Sequence, residues 1–472
     1  MTEIKVSAAP RVTLIGAFII LIALAAWGVR HVVSMIALFH GRSTEFGVVF
    51  SLAFAILAFQ TALYYLERPR SVTPEQAAQL DSLYVVVPVP VYNEDPALLR
   101  RCLLSLLNQD RRPHLIFVVD DGSVVDGTPV DYRAIRREFE REARAAGIET
   151  RWLHTKNQGK RGAQGEVISR TPQADVYVTV DSDAYLVRNA ISELLKPLSD
   201  PDIQSVAGVV LASNSTKNLL TRFTDLWFVS GQLVDRSSQS TMGAVLVNSG
   251  VLAAYRAGLL HDFLPVYLNE TFFGRPVEFS DDSMLTIFAL TRGKAVQQPS
   301  AYALTTMPER LDHHIRQYLR WMRGAFIRSW WRFKYLPLGS YAFWSHLGAW
   351  VQMVLSSVVF VYLFAIHPIL SRQFSPWLLL VPVLIGYAQA LRYLSFRRSD
   401  ESRASQLLTY AMAPVATLWM YFVLRPIRWY AIATCLKTGW GTRDKIEVTA
   451  SGDQLPEQQS DDLSYPSMAG VL

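Results

Sequence analysis

Residues 176–183 read Val-Tyr-Val-Thr-Val-Asp-Ser-Asp: five strand formers that end on two carboxylates one position apart. A continuous β-branched and aromatic run of this length predicts a strand buried on both faces. Similar runs lie upstream at 83–89 and at 115–119, the second ending in Asp120-Asp121-Gly122-Ser123. Helical patterns separate them. Asp95-Pro96 is a helix start, with Asp as N-cap and Pro at the first helical position. Leu98, Leu99, Cys102, Leu103, Leu106 and Leu107 follow at helical spacing. A charged helix is expected over 132–146. This alternation predicts a mainly parallel sheet with helices on both faces. Ligands in such sheets bind at the carboxyl ends of the strands. The acidic groups at 120–121 and 181–183 are therefore candidates for one shared site.

The α/β segment fills only the middle of the 472-residue chain. Half of all residues are apolar, 12% are aromatic and 18% are charged, and the apolar excess sits at the two ends. Segments 12–29 and 46–66 carry no charge, and each is long enough to cross a ~30 Å hydrocarbon core. A cleaved leader does not account for the first, because a second span follows. Segments 342–370, 374–391 and 404–424 qualify as well. Lys5, Arg11, Arg68, Arg70, Arg392, Arg397, Arg398 and Arg403 flank these spans. Positive charge marks the cytoplasmic side, so the middle domain is expected in the cytoplasm, under the plasma membrane. Pro426 is expected to break the chain after the last span. The basic residues beyond it favour a broken or re-entrant return. The polar, acidic stretch from 450 onward reads as a disordered tail.

The net charge of +6 suits anionic lipid or anionic substrates. The basic residues sit beside apolar segments rather than in a soluble stripe, which argues against nucleic acid. Cys102 and Cys435 support neither a disulfide scaffold nor a zinc site.

Asp181 and Asp183 are hard oxygen ligands suited to Mg or Mn bridging a diphosphate, although such triplets also occur in ordinary turns. Asp120 and Asp121 suit a nucleotide base or ribose, with turn formation alongside Gly122 as the plainer role. Lys160 and Arg161, within Asn157–Gly162, present two cations in what reads as a flexible loop, a match for diphosphate or simply a solvated patch. Asp281 and Asp282 precede an apolar helix over 284–290. They are either helix caps or a general base whose pKa its neighbour raises. Segment 309–335 is rich in Arg, Trp and Phe and predicts an amphipathic helix at the membrane interface. Gln317, Arg320 and Trp321 share one of its faces. That face is either a lipid anchor or the floor of an acceptor-sugar site, with Trp321 stacking on a pyranose ring.

Taken in order, six motifs resemble those of the family-2 processive glycosyltransferases, most closely the hyaluronan synthases. They are Val89-Pro90-Val91-Tyr92-Asn93-Glu94, Val119-Asp120-Asp121-Gly122-Ser123, Gly159-Lys160-Arg161, Asp181-Ser182-Asp183, Ser280-Asp281-Asp282 and Gln317-Tyr318-Leu319-Arg320-Trp321. Trp440-Gly441-Thr442-Arg443 looks like the gating-loop motif of the same group. The resemblance implies a multi-pass α-helical membrane protein with an inserted cytoplasmic α/β domain of GT-A type. The implied divisions are transmembrane helices in 1–70, a catalytic domain in 80–305, interface helices in 306–340, further transmembrane helices in 341–437, a gating segment in 438–446 and a tail in 447–472. It implies UDP-sugar donors, a divalent cation (Mg or Mn), a growing polysaccharide extruded through the chain's own channel, and a monomer in the bilayer. Tyr92, Glu94, Asp120 and Asp121 would hold the uridine. Lys160, Arg161, Asp181, Gln317, Arg320, Trp440 and Arg443 would complete the donor site, and Asp183 with Asp181 the metal site. Asp282, beside Asp281, would be the base, and Trp321, Tyr255 and Arg256 would meet the acceptor. Two departures stand out. The cysteine expected before Tyr255-Arg256 is absent from Asn248–Ala254, and Ser280 stands where hyaluronan synthases often carry Gly. The related nodulation chitooligosaccharide synthases share most of these motifs, so a single-donor polymer is the alternative product. A non-processive lipid glycosyltransferase and a non-catalytic transporter fit less well.

Overall fold

The computed structural model describes residues 4–8, 58–374 and 379–439, with isolated positions between 23 and 55. The expected spans at 12–29 and 46–66, the gating segment and the tail lie mostly outside these residues. Eight strands form the central sheet: β1 (Val85–Val91), β2 (Leu115–Asp120), β3 (Glu149–His154), β4 (Val176–Thr179), β5 (Tyr185–Leu186), β6 (Ile203–Ala212), β7 (Ala253–Arg256) and β8 (Lys294–Thr305). Their spatial order is β3-β2-β1-β4-β7-β6-β8-β5. The first four are mutually parallel, as the alternation predicts. The other half corrects the expectation. β7 runs antiparallel to both β4 and β6, and β5 runs antiparallel to β8, so the sheet is mixed. The reversing strand, Ala253-Ala254-Tyr255-Arg256, has little β-branched character to announce it.

Two prolines shape the site end of β1. Val85 and Val91 direct their carbonyls toward β2, accepting from the N–H groups of His114 and Asp121. Alternation then turns Pro88 and Pro90 toward β4. Neither has an N–H to donate, and pairing with β4 stops at Val86. The sheet therefore parts between β1 and β4 below the acidic motifs. Its two faces are closed separately. Val85, Val87, Val89, Leu99, Leu103 and Val118 pack on one side, and Val86, Phe117, Val119, Tyr177, Leu260 and Phe288 on the other. Each such side chain contributes about 1.5–3 kcal/mol on burial.

Helix α1 (Pro96–Leu107) starts as expected, with the Asp95 carboxylate accepting from the N–H groups of Ala97 and Leu98. Helices α2 (Gly159–Arg170), α3 (Asp281–Arg292) and α4 (Leu311–Tyr335) carry most of the remaining candidate residues. Helix α5 spans Tyr341–Ser371, 31 residues, and is the one described helix long and apolar enough by itself to cross a membrane. At 1.5 Å per residue it is about 46 Å long. Val351, Val354, Val358, Ile369 and Leu370 stand exposed along it. Helices α6 (Arg403–Ala411) and α7 (Ala413–Ala433) meet the same criterion only as a pair, bent by 46°. Within 374–391, the described helix covers Leu380–Ala390.

Pro426 does not break the chain, contrary to expectation: α7 continues through it, and the bend lies at Met412 instead. A π-turn at Met420–Leu424 comes just before Arg425-Pro426. The wider turn makes room for the ring, which would otherwise strike the carbonyl four residues back. Helix α5 repeats the device, with a π-turn at Tyr362–Ile366 before His367-Pro368.

Candidate active site

The acidic motifs converge because β1, β2 and β4 are parallel neighbours and end on the same side. Asn93, in the left-handed region at φ 49°, links two of these ends. Its N–H donates to Ser123 Oγ at 3.0 Å, and its Oδ1 accepts from the Val124 N–H at 2.7 Å. Gly122 lets the 155–157 loop close over this turn, since a Cβ there would lie 2.9 Å from the Asn157 nitrogen. Ser182 Oγ donates to Glu94 Oε2 at 2.7 Å, joining the ends of β1 and β4. Tyr92 lies half-buried at the same edge.

Lys160 is the centre of the site. It is not in a flexible loop, as expected, but in the first turn of α2. A helix N-terminus disfavours a cation, so carboxylates must offset it. Its Nζ lies 2.7 Å from Asp181 Oδ1 and 3.1 Å from Asp281 Oδ2. One ammonium thus bridges the strand-end motif to the acid pair on α3. Burial acts to lower the Lys160 pKa, but Asp181 and Asp281 outweigh it and the net shift is upward. Gly250 keeps this bridge open: a Cβ there would sit 3.1 Å from Lys160 Nζ and 3.6 Å from Asp181 Oδ1. Gly250→Ala is therefore expected to crowd the bridge, raising donor KM by about three- to tenfold with stability nearly unchanged. Steady-state UDP release checks this, and an unaltered KM counts against the crowding argument.

Asp281 and Asp282 occupy the first turn of α3, where carboxylates are favoured. Burial acts to raise the Asp281 pKa, yet Lys160 and then Arg161 prevail and the carboxyl stays below its ordinary range. Asp282 is pushed up to about 6 by burial and by the adjacent Asp281 charge. Its Oδ1 accepts from the Ser283 N–H at 2.6 Å. The preceding Ser280 is left-handed, at φ 61°, a position that favours Gly. Helix α4 presses on this turn through Gly324, where a Cβ would come within 2.8 Å of Ser280 Cβ. Gln317, Arg320 and Trp321 lie on the same stripe of α4, one to two turns before Gly324, and Trp321 stacks against Phe228 with ring centroids 5.9 Å apart.

Several candidates stand elsewhere than expected. Arg161 does not face the cleft. It is buried, donating to Glu270, to the Tyr267 carbonyl and, at 3.0 Å, to the Phe279 carbonyl. Tyr255 is fully buried beneath α3, with its hydroxyl 3.5 Å from the Asp282 carbonyl, so it underlies the acid pair and has no surface for an acceptor. Arg256 pairs with Val176 at the opposite end of the sheet and donates to the carbonyls of Ile203, Leu198 and Asp200. Both belong to the strand that the sequence leaves unannounced. Asp120 accepts from the Ser123 N–H and meets His154, while Asp121 accepts from Thr155 Oγ1 and the Gln158 N–H. Their plainer turn-forming role is the one visible. Arg328 and Arg332 of α4 are buried against the catalytic domain instead of facing lipid. Trp440 and Arg443 lie outside the described residues.

Glu270 carries no motif and was not a candidate. It receives Arg161, Arg328 and the Trp331 indole N–H, the last at 2.8 Å. Arg328 also donates to the Phe279 and Ser280 carbonyls, at 3.3 and 3.1 Å. The turn that aims Asp281 and Asp282 is thus clamped from below by two arginines sharing one carboxylate. Only the spacing of charges across 161, 270 and 328 hints at this, and such spacing is not readable without the fold.

Asp183 Oδ2 accepts from Thr305 Oγ1 at 2.8 Å, at the end of β8. Among the described residues, no group of three or more His, Cys, Asp and Glu side chains is placed to hold a metal by itself. Two carboxylates at a strand end fit a cation that takes its other ligands from diphosphate and water.

A mixed sheet of this order, with an acidic cluster at its strand ends, defines a glycosyltransferase domain of GT-A fold. The Glycosyl transferase family 2 model matches residues 86–264, and the Glycosyl transferase family group 2 model matches 177–391. The hyaluronan synthase of Streptococcus pyogenes is 32% identical over 368 residues, covering 77% of this chain and 84% of that protein. An N-acetylglucosaminyltransferase of Rhizobium meliloti is 30% identical over 404 residues, covering 82% of this chain and 88% of its own length. Among solved structures, a mannosyltransferase from Pyrobaculum calidifontis, in complex with GDP-Man and Mn2+, aligns at 20% identity with a TM-score of 0.48, covering 84% of this chain and 99% of its own. The chain belongs to glycosyl transferase family 2 and is a glycosyltransferase.

Proposed function

We propose that this glycosyltransferase is a processive, inverting polysaccharide synthase of the plasma membrane. It draws UDP-sugars from the cytoplasm and passes the polymer out between its own membrane helices. The observation that carries the reading is the Lys160 bridge, which unites a diphosphate-side carboxylate, Asp181, with the acid pair on α3. Asp282 takes the proton from the acceptor hydroxyl. Its raised pKa suits a base working near neutral pH. Asp281, held ionised by Lys160, keeps that pKa up. Lys160 turns its charge toward the donor diphosphate. Asp181 and Asp183 would hold Mg or Mn, which supplies charge stabilisation for the departing UDP. The α4 stripe of Gln317, Arg320 and Trp321 reaches from the acid pair toward the membrane helices and suits the growing chain, with Trp321 as a stacking platform.

Hyaluronan, from UDP-GlcNAc and UDP-GlcA, is the favoured product. A chitooligosaccharide-type polymer from one donor is the second reading, supported by the similarity to the Rhizobium meliloti enzyme and by the missing cysteine in 248–254. Purified protein given each donor alone and both together, with Mg or Mn, separates them. Polymer is expected only from the pair, and electrophoresis should show long chains. Polymer from UDP-GlcNAc alone, with no gain from UDP-GlcA, replaces hyaluronan by the second reading. A single-sugar glycolipid product removes processivity.

A further inference from the structure

The strands Thr271–Phe272 and Arg275–Pro276 pair across a two-residue turn, Phe273-Gly274. Both turn residues have positive φ, 47° and 75°. Turns of this kind favour Asn-Gly or Gly-Gly, and a bulky residue at positive φ is an outlier. Strain of this sort points toward function. Phe273 is also 72% exposed, the ring meeting Phe272 edge-on and lying 6.0 Å from the exposed Trp330 of α4. From there a line of exposed apolar groups, Phe333, Tyr335, Leu338 and Trp344, leads into α5. Trp344 satisfies its own N–H on the Leu338 carbonyl at 2.8 Å and presents an otherwise apolar ring.

We propose that the Phe273 tip and this outer face of α4 form one docking surface that sets the catalytic domain against an anionic lipid leaflet. Continuity supplies the first argument for lipid as the occupant. The hairpin touches the start of one membrane-length helix through α4 and the turn just after α7 through Arg275, which donates to the Leu436 carbonyl at 2.9 Å. Charge supplies the second. No Asp or Glu occurs from 313 to 399. Lys334 caps the patch, 5.5 Å from the Trp331 ring and 5.1 Å from that of Tyr335. Aromatic rings flanked by cations suit the headgroup boundary. The proposal rests on the reading of the chain as membrane-embedded and adds a contact made by the catalytic domain itself.

The test uses the full chain in nanodiscs of mixed phosphatidylcholine and phosphatidylglycerol. With Cys435→Ser as background and buried Cys102 left in place, single reporter cysteines replace Phe273, Val358 of α5, and Arg137 on a remote exposed helix. Each is labelled with bimane and challenged with lipid carrying a nitroxide near the headgroup, with lipid carrying it deep in the acyl chain, or with iodide in water. Retained UDP release certifies that the Phe273→Cys protein is folded. Quenching of the 273 label by shallow nitroxide of roughly twofold or more is expected, with little quenching by iodide. If the 358 label also escapes lipid quenchers, the membrane reading itself fails. If 358 is quenched while 273 responds to iodide, the docking proposal alone is overturned. A 273 label shielded from both quenchers means that protein covers the tip, and likewise overturns it.

Discussion

Replacing Asp282 by Asn is expected to lower kcat by about 10²–10⁴-fold, while donor KM stays within about threefold. Asn keeps the shape and the bond from the Ser283 N–H but cannot accept a proton. Asp281 cannot substitute, because Lys160 holds it ionised and occupied at 3.1 Å. The pH dependence follows with a definite sign. Asp282 is pushed up to about 6 by burial and by Asp281, and a base must be deprotonated to act. The wild-type rate therefore falls as the pH drops through about 6 and is flat above it. A bound divalent cation moves this limb to lower pH, since added positive charge favours the ionised acid. In Asp282→Asn the limb is absent from the residual rate. UDP release at saturating donor, across the pH range, measures both effects. Turnover that survives the substitution unchanged removes Asp282 from the mechanism.

The largest loss of stability is expected at Glu270. Its carboxylate is buried with Arg161, Arg328 and Trp331. Burial acts to raise its pKa, but the guanidinium of Arg328, and then that of Arg161, prevail and hold it below the ordinary 4.5. Glu270→Gln strands two buried cations around a neutral amide. Breaking a buried pair in this way costs about 3–5 kcal/mol, which for a domain of this size lowers Tm by about 10 °C. The pH sign is that of a depressed acid. The stabilisation is complete above 4.5 and is lost as the pH falls through the lower folded value. Activity falls as well, because the Phe279 and Ser280 carbonyls lose the clamp that aims the acid pair. Thermal melting of the full chain in detergent checks the loss. A Tm within a degree or two of wild type contradicts the hub.

The parts legible in the sequence are those whose causes are local. The β-branched runs at 83–89, 115–119 and 176–180 are strands because their residues suit a doubly buried pleat, and Asp95-Pro96 starts a helix by its own chemistry. The acids after β2 and β4 fall at one edge because parallel neighbours end on one side. The amphipathic pattern of 309–335 likewise appears as one long helix, Leu311–Tyr335. The illegible parts are those whose partners are remote. Arg161 adjoins Lys160 in sequence, yet a helical step of about 100° sends one side chain inward to Glu270 and the other to the cleft. Tyr255 and Arg256 belong to a short antiparallel strand without a clear signature, and the pleat turns one side chain beneath α3 and the other to the opposite face of the sheet.

By itself, then, the sequence determined that acidic strand ends lie between apolar chain ends, because periodicity and cap chemistry act over a few residues. Only the tertiary structure decided which charges meet. Lys160 finds Asp181 and Asp281 across 21 and 121 positions of chain, and Glu270 joins Arg161 to Arg328 across 109 and 58. A buried cation must be offset by whatever carboxylate the packing brings near it, and packing is a property of the whole fold rather than of any motif.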